Sequence, residues 1–186
     1  MILEKFLTIL NNIKNIDFIL FYGSLLGYVR ENDFIKNDDD VDVLMNISDL
    51  HCLLKQLKQL KLDNIIYIEV KDDNSYGNII HISILLPNTK ESLGIYIYEN
   101  FDDNDILIRW AEGLLYSKKD IFPLQKVIFK NTDIYIPNNS EKILEETYGI
   151  NWKTPILKTD YIWDNINTVR KEQSKSINKW AQAKLT

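Results

Sequence analysis

Leu3, Phe6, Leu7, Leu10 and Ile13 recur at three- and four-residue intervals, so the chain is expected to open with an amphipathic helix. The apolar-rich run Ile16 to Tyr22 (IDFILFY) then reads as a buried strand ended by Gly23. Ser24 is placed to cap a short helix carrying Leu25, Leu26, Gly27 and Val29, and the polar stretch from Glu31 to Asp39 reads as a loop. Strict alternation follows at Asp40 to Met45, where Val41, Val43 and Met45 interleave with Asp40, Asp42 and Leu44. Ser48 is in position to cap a helix striped by Leu50, Leu53, Leu54, Leu57 and Leu60, with lysines in its last turn to complement the helix dipole.

The centre of the chain is β-rich. Strands are expected at Asn64 to Val70, Asn78 to Leu86, Gly94 to Glu99 and Ile106 to Trp110, with a turn at Asp72 to Gly77. Lys126 to Phe129 and Ile134 to Ile136 flank a polar turn as a hairpin, and Asn139 or Ser140 caps a helix through Leu144 to Tyr148. Beyond Pro155 the chain becomes polar with scattered aromatics, and Thr159 to Ala183 is expected to form a peripheral helix carrying Ile162, Ile166, Val169 and Trp180. The predicted fold class is α/β (α+β): a mixed sheet flanked by helices over residues 1–158, and a small C-terminal helical extension over 159–186.

Composition narrows the function. With 186 residues, 45% of them apolar, the chain can bury one sizeable core. A net charge of -5 opposes non-specific nucleic-acid binding, which needs a basic face to release counterions. Cys52 has no partner for an internal disulfide, so a reducing compartment, the cytoplasm, is expected. Glu4, Lys5 and Thr8 interrupt the apolar pattern that a signal peptide would need, and no window approaches the roughly 18 apolar residues of a membrane span.

The candidate chemistry lies between Tyr22 and Asp42. On a strand, Asp40 and Asp42 share a face with alpha-carbons roughly 6.6 Å apart, and Asp38 extends the row. At an effective dielectric of 20, carboxylates about 6 Å apart repel by roughly 2.8 kcal/mol, a cost that solvent screens or a cation offsets. Magnesium suits such a set, because it binds one or two carboxylates together with phosphate oxygens. A solvated acidic loop is the plain alternative. A calcium loop is not, since Val43 and Asp49 stand where the glycine and the glutamate should be. Gly23-Ser24, between a strand and a helix, adds a turn where backbone can approach a phosphate.

Tyr22-Gly23-Ser24-Leu25-Leu26-Gly27-Tyr28-Val29-Arg30, Phe34-Ile35 and Asp38-Asp39-Asp40-Val41-Asp42 together resemble the LicD family of bacterial phosphocholine transferases, related to the fukutin group of sugar-phosphate transferases. Similarity resumes at Asp120-Ile121-Phe122-Pro123-Leu124, at Ile136-Pro137-Asn138-Asn139 and from Tyr148 to Pro155. The resemblance implies a nucleotidyltransferase-type fold, Mg2+ or Mn2+, and transfer of a phospho-alcohol from a CDP-activated donor to a hydroxyl of a glycan, such as a lipopolysaccharide or capsule. It implies Gly23 and Ser24 as the nucleotide-binding turn, Arg30 as a phosphate contact or a loop-shaping ion pair, and Asp40 and Asp42, with Asp38, as catalytic metal ligands.

The chain departs from the family at Asn37, where many relatives have tryptophan, and at the third carboxylate usual in this fold. His81-Ile82-Ser83 and Leu93-Gly94-Ile95-Tyr96, the segments expected to hold it, contain no acid. Asp38, or Asp102, Asp103 or Asp105 from a loop, would have to stand in. His51 and His81 are expected to be structural. Trp110, Tyr116, Phe122 and Trp152 are stacking candidates whose plain reading is core, and Lys118, Lys119 and Lys126 are steering candidates whose plain reading is solvated surface. Two rival functions follow: nucleotidyl transfer to a small hydroxylated molecule through the same site, or non-catalytic binding of a nucleotide or glycan.

Overall fold

The computed structural model describes residues 2–59, 65–71, 79–110, 113–156 and 180–184. Helix α1 (Ile2–Asn12) buries Leu3, Phe6, Leu7, Ile9 and Leu10, the face its periodicity predicts. After it, β1 is only Ile19–Leu20, shorter than the strand expected from Ile16 to Tyr22, because the chain turns at Phe21 into α2 (Tyr22–Glu31). Tyr22 makes that turn at φ 43°, a left-handed value unfavourable for a bulky residue. Strand β2 (Asp40–Asn46) leads through a 3-10 turn (Ile47–Asp49) into α3 (Leu50–Gln59). The cap of that turn is Asn46, whose side chain accepts from the Ser48 N–H at 2.9 Å, so Ser48 is not itself the cap. A reciprocal pair joins α1's exit to α3: Lys14 N–H donates to Gln56 Oε1 at 2.8 Å, and the Gln56 amide donates to Lys14 O at 2.8 Å.

The remaining strands are β3 (Ile65–Lys71), β4 (Ile79–Leu85), β5 (Ser92–Asn100), β6 (Asp105–Ile108), β7 (Leu114–Ser117), β8 (Gln125–Phe129), β9 (Thr132–Ile136) and β10 (Trp180–Lys184). Two more helices, α4 (Lys118–Ile121) and α5 (Ser140–Tyr148), flank the β8–β9 hairpin in sequence. All the strands join one mixed sheet, ordered β10-β3-β4-β5-β2-β1-β9-β8, with β6 pairing β5 and β7 outside that path. The β2–β5 and β1–β9 pairs are parallel. The two-residue turn between β8 and β9 places Lys130 at φ 47° and Asn131 at φ 60°, the mirror-image geometry that matches strand twist in tight hairpins.

The end of the expected tail helix, Trp180 to Ala183, is strand instead. Residues 157–179 lie outside the described residues, and so does the turn expected at Asp72 to Gly77. Trp180–Lys184 is an edge strand antiparallel to β3, with Trp180 opposite Lys71 and Lys184 opposite Tyr67. An unpaired strand edge offers a row of backbone donors and acceptors, which overrides weak helical periodicity in so short a segment.

Register gives β4, β5 and β2 two unlike faces. Ile82, Ile84, Leu93, Ile95, Ile97, Val41, Val43 and Met45 point one way and are completely buried, in one core cluster with the apolar stripes of α1 and α3. The other face carries Asp40 and Asp42 from β2, Gly94 and Tyr96 from β5, and His81 and Ser83 from β4. The downstream motifs brace this frame. Asn139 N–H donates to Asp120 O at 2.8 Å, its side chain bonds Asp120 Oδ1 at 3.1 Å and caps α5 at the Lys142 N–H, and Asn138 N–H donates to Ile121 O at 3.0 Å.

Candidate functional site

Asp42 sits at the centre of this second face and is 7% exposed. Its backbone is held on both sides: Phe21 N–H donates to Asp42 O at 3.1 Å, and Asp42 N–H donates to Ser24 Oγ at 2.9 Å. Ser24 therefore does not cap α2 as expected. It stands inside the first turn and locks that turn to β2, while the N-cap Phe21 makes no side-chain capping bond. Burial pushes the Asp42 carboxyl well above the usual carboxylate range, Asp40 and then Asp38 push it further, and hydrogen bonds from the Tyr96 side chain and the Gly23 backbone pull the other way.

The two glycines of the motif have separate reasons. A Cβ on Gly23 would lie 3.1 Å from Asp38 Oδ2 and 3.8 Å from Asp42 Oδ2, so its bare alpha-carbon lets two carboxylates converge over the start of α2. A Cβ on Gly27 would come within 2.5 Å of Asp33 O, so this glycine lets the Asp33–Ile35 backbone cross α2. That crossing steers the acidic loop back toward Gly23. Asn37 turns it at φ 65°, a conformation asparagine tolerates better than most residues, including the tryptophan of many relatives. Asp38 N–H then donates to Ile35 O at 3.0 Å, and Ser92 N–H to Asp39 O at 2.9 Å.

The loop brings carboxylate oxygens of Asp38, Asp39 and Asp40 within 4.8 Å of one another. Asp39 was not anticipated in this group; Lys90 approaches its outer oxygen at 3.7 Å. Asp42 lies deeper, within the electrostatic reach of Asp40 and Asp38. The donor set fits a hard divalent cation: clustered carboxylates with a buried acid among them are what such an ion would relieve. Beside Asp38 opens a cleft of ≈ 550 Å³, lined in part by Phe34, Lys36, Asn37, Glu31 and Glu91.

Arg30 stands apart from the aspartates. It lies in the last turn of α2, about 10 Å along the helix axis from Gly23 at the usual rise, and its Nε and Nη2 both bond Glu31 Oε1, at 3.0 and 2.5 Å. The ion pair expected as the alternative to phosphate contact is thus present, but with glutamate. Asp102 through Asp105 are also remote, in the turn beyond Asn100, which is roughly 20 Å from Gly94 along β5. Asp102 there accepts from the Asn104 and Asp105 N–H groups, each at 2.8 Å. None of the residues that register with Asp42's face on β4 and β5 is acidic, and Asp38 is a carboxylate that the loop brings to Asp42 from outside those strands.

Sequence reasoning named Trp110 as a stacking candidate but missed the aromatic wall it joins. Tyr96 lies against Tyr22 with ring centroids 4.9 Å apart, His81 against Tyr96 at 4.5 Å, and Trp110 against both His81 and Tyr96, at 4.8 and 5.3 Å. The legible signal was a glycine inside a strand, Gly94, which marks close approach of another group. Of the other candidates, His51 is exposed on α3, Tyr116 is core and bonds Thr147 at 2.9 Å, and Trp152 is buried. Lys126 pairs with Asp133 at 2.6 Å and Lys118 donates to Asp102 O at 2.5 Å.

A mixed sheet with a glycine-serine turn, a helix set on it and an aspartate run on the adjoining strand defines a nucleotidyltransferase-type domain. The family model described as LicD/FKTN/FKRP, nucleotidyltransferase domain, matches residues 15–139, and the chain belongs to that family. It is 27% identical over 129 residues to the uncharacterized protein RT0683 of Rickettsia typhi (strain ATCC VR-144 / Wilmington). That match takes in 67% of this chain but 37% of the relative's length. Among solved structures, it is similar to the lincomycin-bound lincosamide antibiotic adenylyltransferase LnuA, at a TM-score of 0.49 and 11% identity over 89% of this chain and 95% of that one. No described helix is long and apolar enough to cross a membrane.

Proposed function

We propose that the protein is a metal-dependent phosphotransferase that moves a phospho-alcohol, such as phosphocholine, from a CDP-activated donor to a glycan hydroxyl. The observation that carries this reading is the convergence of Asp38 and Asp42 over Gly23, with Asp40 beside them. Asp38, Asp40 and Asp42 would hold Mg2+ or Mn2+, and the ion would supply charge neutralisation at the diphosphate. The chain's own part is placement. Ser24 and Phe21 fix Asp42 against the head of α2, and the bare alpha-carbon of Gly23 lets Asp38 and Asp42 approach over it. Fixed groups of this kind lower a barrier by positioning, without reorganising as the reaction proceeds.

The acceptor in this reading is a lipopolysaccharide or capsule glycan, and a nucleotide donor together with the lone Cys52 suits the cytoplasm. Calorimetric titration of CDP-choline and CTP, with and without magnesium, tests the site in the wild type and in the Asp40→Asn, Asp42→Asn double variant. Metal-dependent binding lost in the variant is the expected result. Absence of binding by wild type refutes a cytidine-nucleotide donor and favours a non-catalytic relative. Release of pyrophosphate from CTP, in place of CMP from CDP-choline, would mean nucleotidyl transfer.

A further inference from the structure

We propose that His81 is a catalytic residue of the transfer, accepting the proton of the attacking hydroxyl at Nε2, on the face where β4 and β5 carry no carboxylate. The assignment rests on the phosphotransfer reading. Gly94 lies opposite Asp42 on one side and opposite Ser83 on the other, while His81 lies opposite Tyr96, the next residue of β5 on the same face. A Cβ built on Gly94 would stand 3.0 Å from His81 Nε2, 3.1 Å from Asp42 Oδ1 and 3.2 Å from Tyr96 Cε2. An imidazole nitrogen and an oxygen of the central carboxylate therefore both pack against Gly94, closer than a residue with a Cβ would ordinarily allow.

His81 is 8% exposed, and its ring is set by Tyr96 at 4.5 Å and Trp110 at 4.8 Å. Side chains on strands, locked by their neighbours, meet the geometric tolerance a reacting group demands better than side chains on loops. In the step, the acceptor hydroxyl oxygen bonds to the phosphorus bearing the alcohol, and the bond from that phosphorus to the bridging oxygen breaks. CMP departs with that oxygen and its electron pair. The hydroxyl proton passes to Nε2.

Packing alone would also place a ring between Tyr96 and Trp110, so the test separates the ring from its nitrogen. CMP release from CDP-choline is measured with water and with a monosaccharide panel as acceptors, in wild type, His81→Phe and His81→Asn, beside CDP-choline affinity and melting temperature. The proposal expects turnover to fall about 10² to 10⁴-fold in both variants. Donor affinity should stay within about threefold, and His81→Phe should melt as the wild type does. Wild-type turnover retained in His81→Phe overturns the assignment while leaving the transfer reading intact. Early melting of both variants, or a parallel loss of donor affinity, assigns the ring to packing and also overturns it. A wild type that neither binds nor cleaves CDP-choline refutes the transfer reading, and the assignment falls with it.

Discussion

The two faces of β4, β5 and β2 are made from the same residues in alternation, yet they obey opposite rules. On one face Ile82, Ile84, Leu93, Ile95, Ile97, Val41, Val43 and Met45 are fully buried, and every position is what the hydrophobic effect selects. On the other, a buried aspartate, a histidine, a tyrosine and a glycine occupy the same strands. Two neighbouring carboxylates raise the charge density around that aspartate further. The first face carries the stability of the fold, and the second holds a buried acid beside two further carboxylates, the arrangement a bound cation would relieve under the proposed function. A strand can do both because its side chains alternate, so the penalty on one face is borne by packing on the other.

The sharpest break in this comparison is the Asp40→Asn, Asp42→Asn double variant. Transfer activity should fall by more than about 10³-fold, while the melting temperature in metal-free buffer holds or rises, since charge repulsion is removed. Asp42 also gives the second face a pH signature. Its carboxyl titrates higher in the folded than in the unfolded chain, where the value is about 3.9. The folded state therefore binds that proton more tightly, and metal-free stability should decline as pH rises from about 4 through the folded value. Asp42→Asn should flatten that decline in thermal melts across the same range.

The first face should answer in the opposite sense. Ile95→Ala removes a fully buried side chain and should cost about 2 to 5 kcal/mol in denaturant unfolding, leaving magnesium-dependent donor binding intact under native conditions. Ser24→Ala tests the joint between the faces. It orphans the buried Asp42 N–H and should cost about 1 to 3 kcal/mol, with a loss of transfer larger than that of stability because the carboxylate loses its support. Arg30→Gln should matter least. Its pair with Glu31 lies on the last turn of α2, so stability should change by less than about 1 kcal/mol and transfer by no more than a few-fold. A large loss of donor affinity in that variant would return Arg30 to the phosphate site.

Much of this was legible in the chain because it depends on local pattern. The stripe of α1, the leucines of α3, the alternation in β2 and the hairpin at Lys130-Asn131 each need only neighbouring residues to declare themselves, and the motif from Tyr22 to Asp42 marked the site. Besides the cap before α3, which fell to Asn46 rather than Ser48, other local expectations failed for identifiable reasons. The strand before Gly23 was cut short because Phe21 and Tyr22 take up the turn; Ser24 was claimed by the distant Asp42 N–H; and Trp180–Lys184 found a strand edge in β3.

By itself, the sequence determined the family and the mixed α/β class and put the aspartates forward as the candidate site, since these follow from residue types at short, fixed spacing. Which groups meet Asp42 was decided only by the tertiary structure. Register between strands far apart in the chain set Gly94 beside it and carried His81 and Tyr96 to the same spot, and the crossing of Gly27 by Asp33–Ile35 delivered Asp38 rather than the Asp102 turn. Pairing of that kind depends on how whole elements bury their apolar faces together, and no local pattern encodes it.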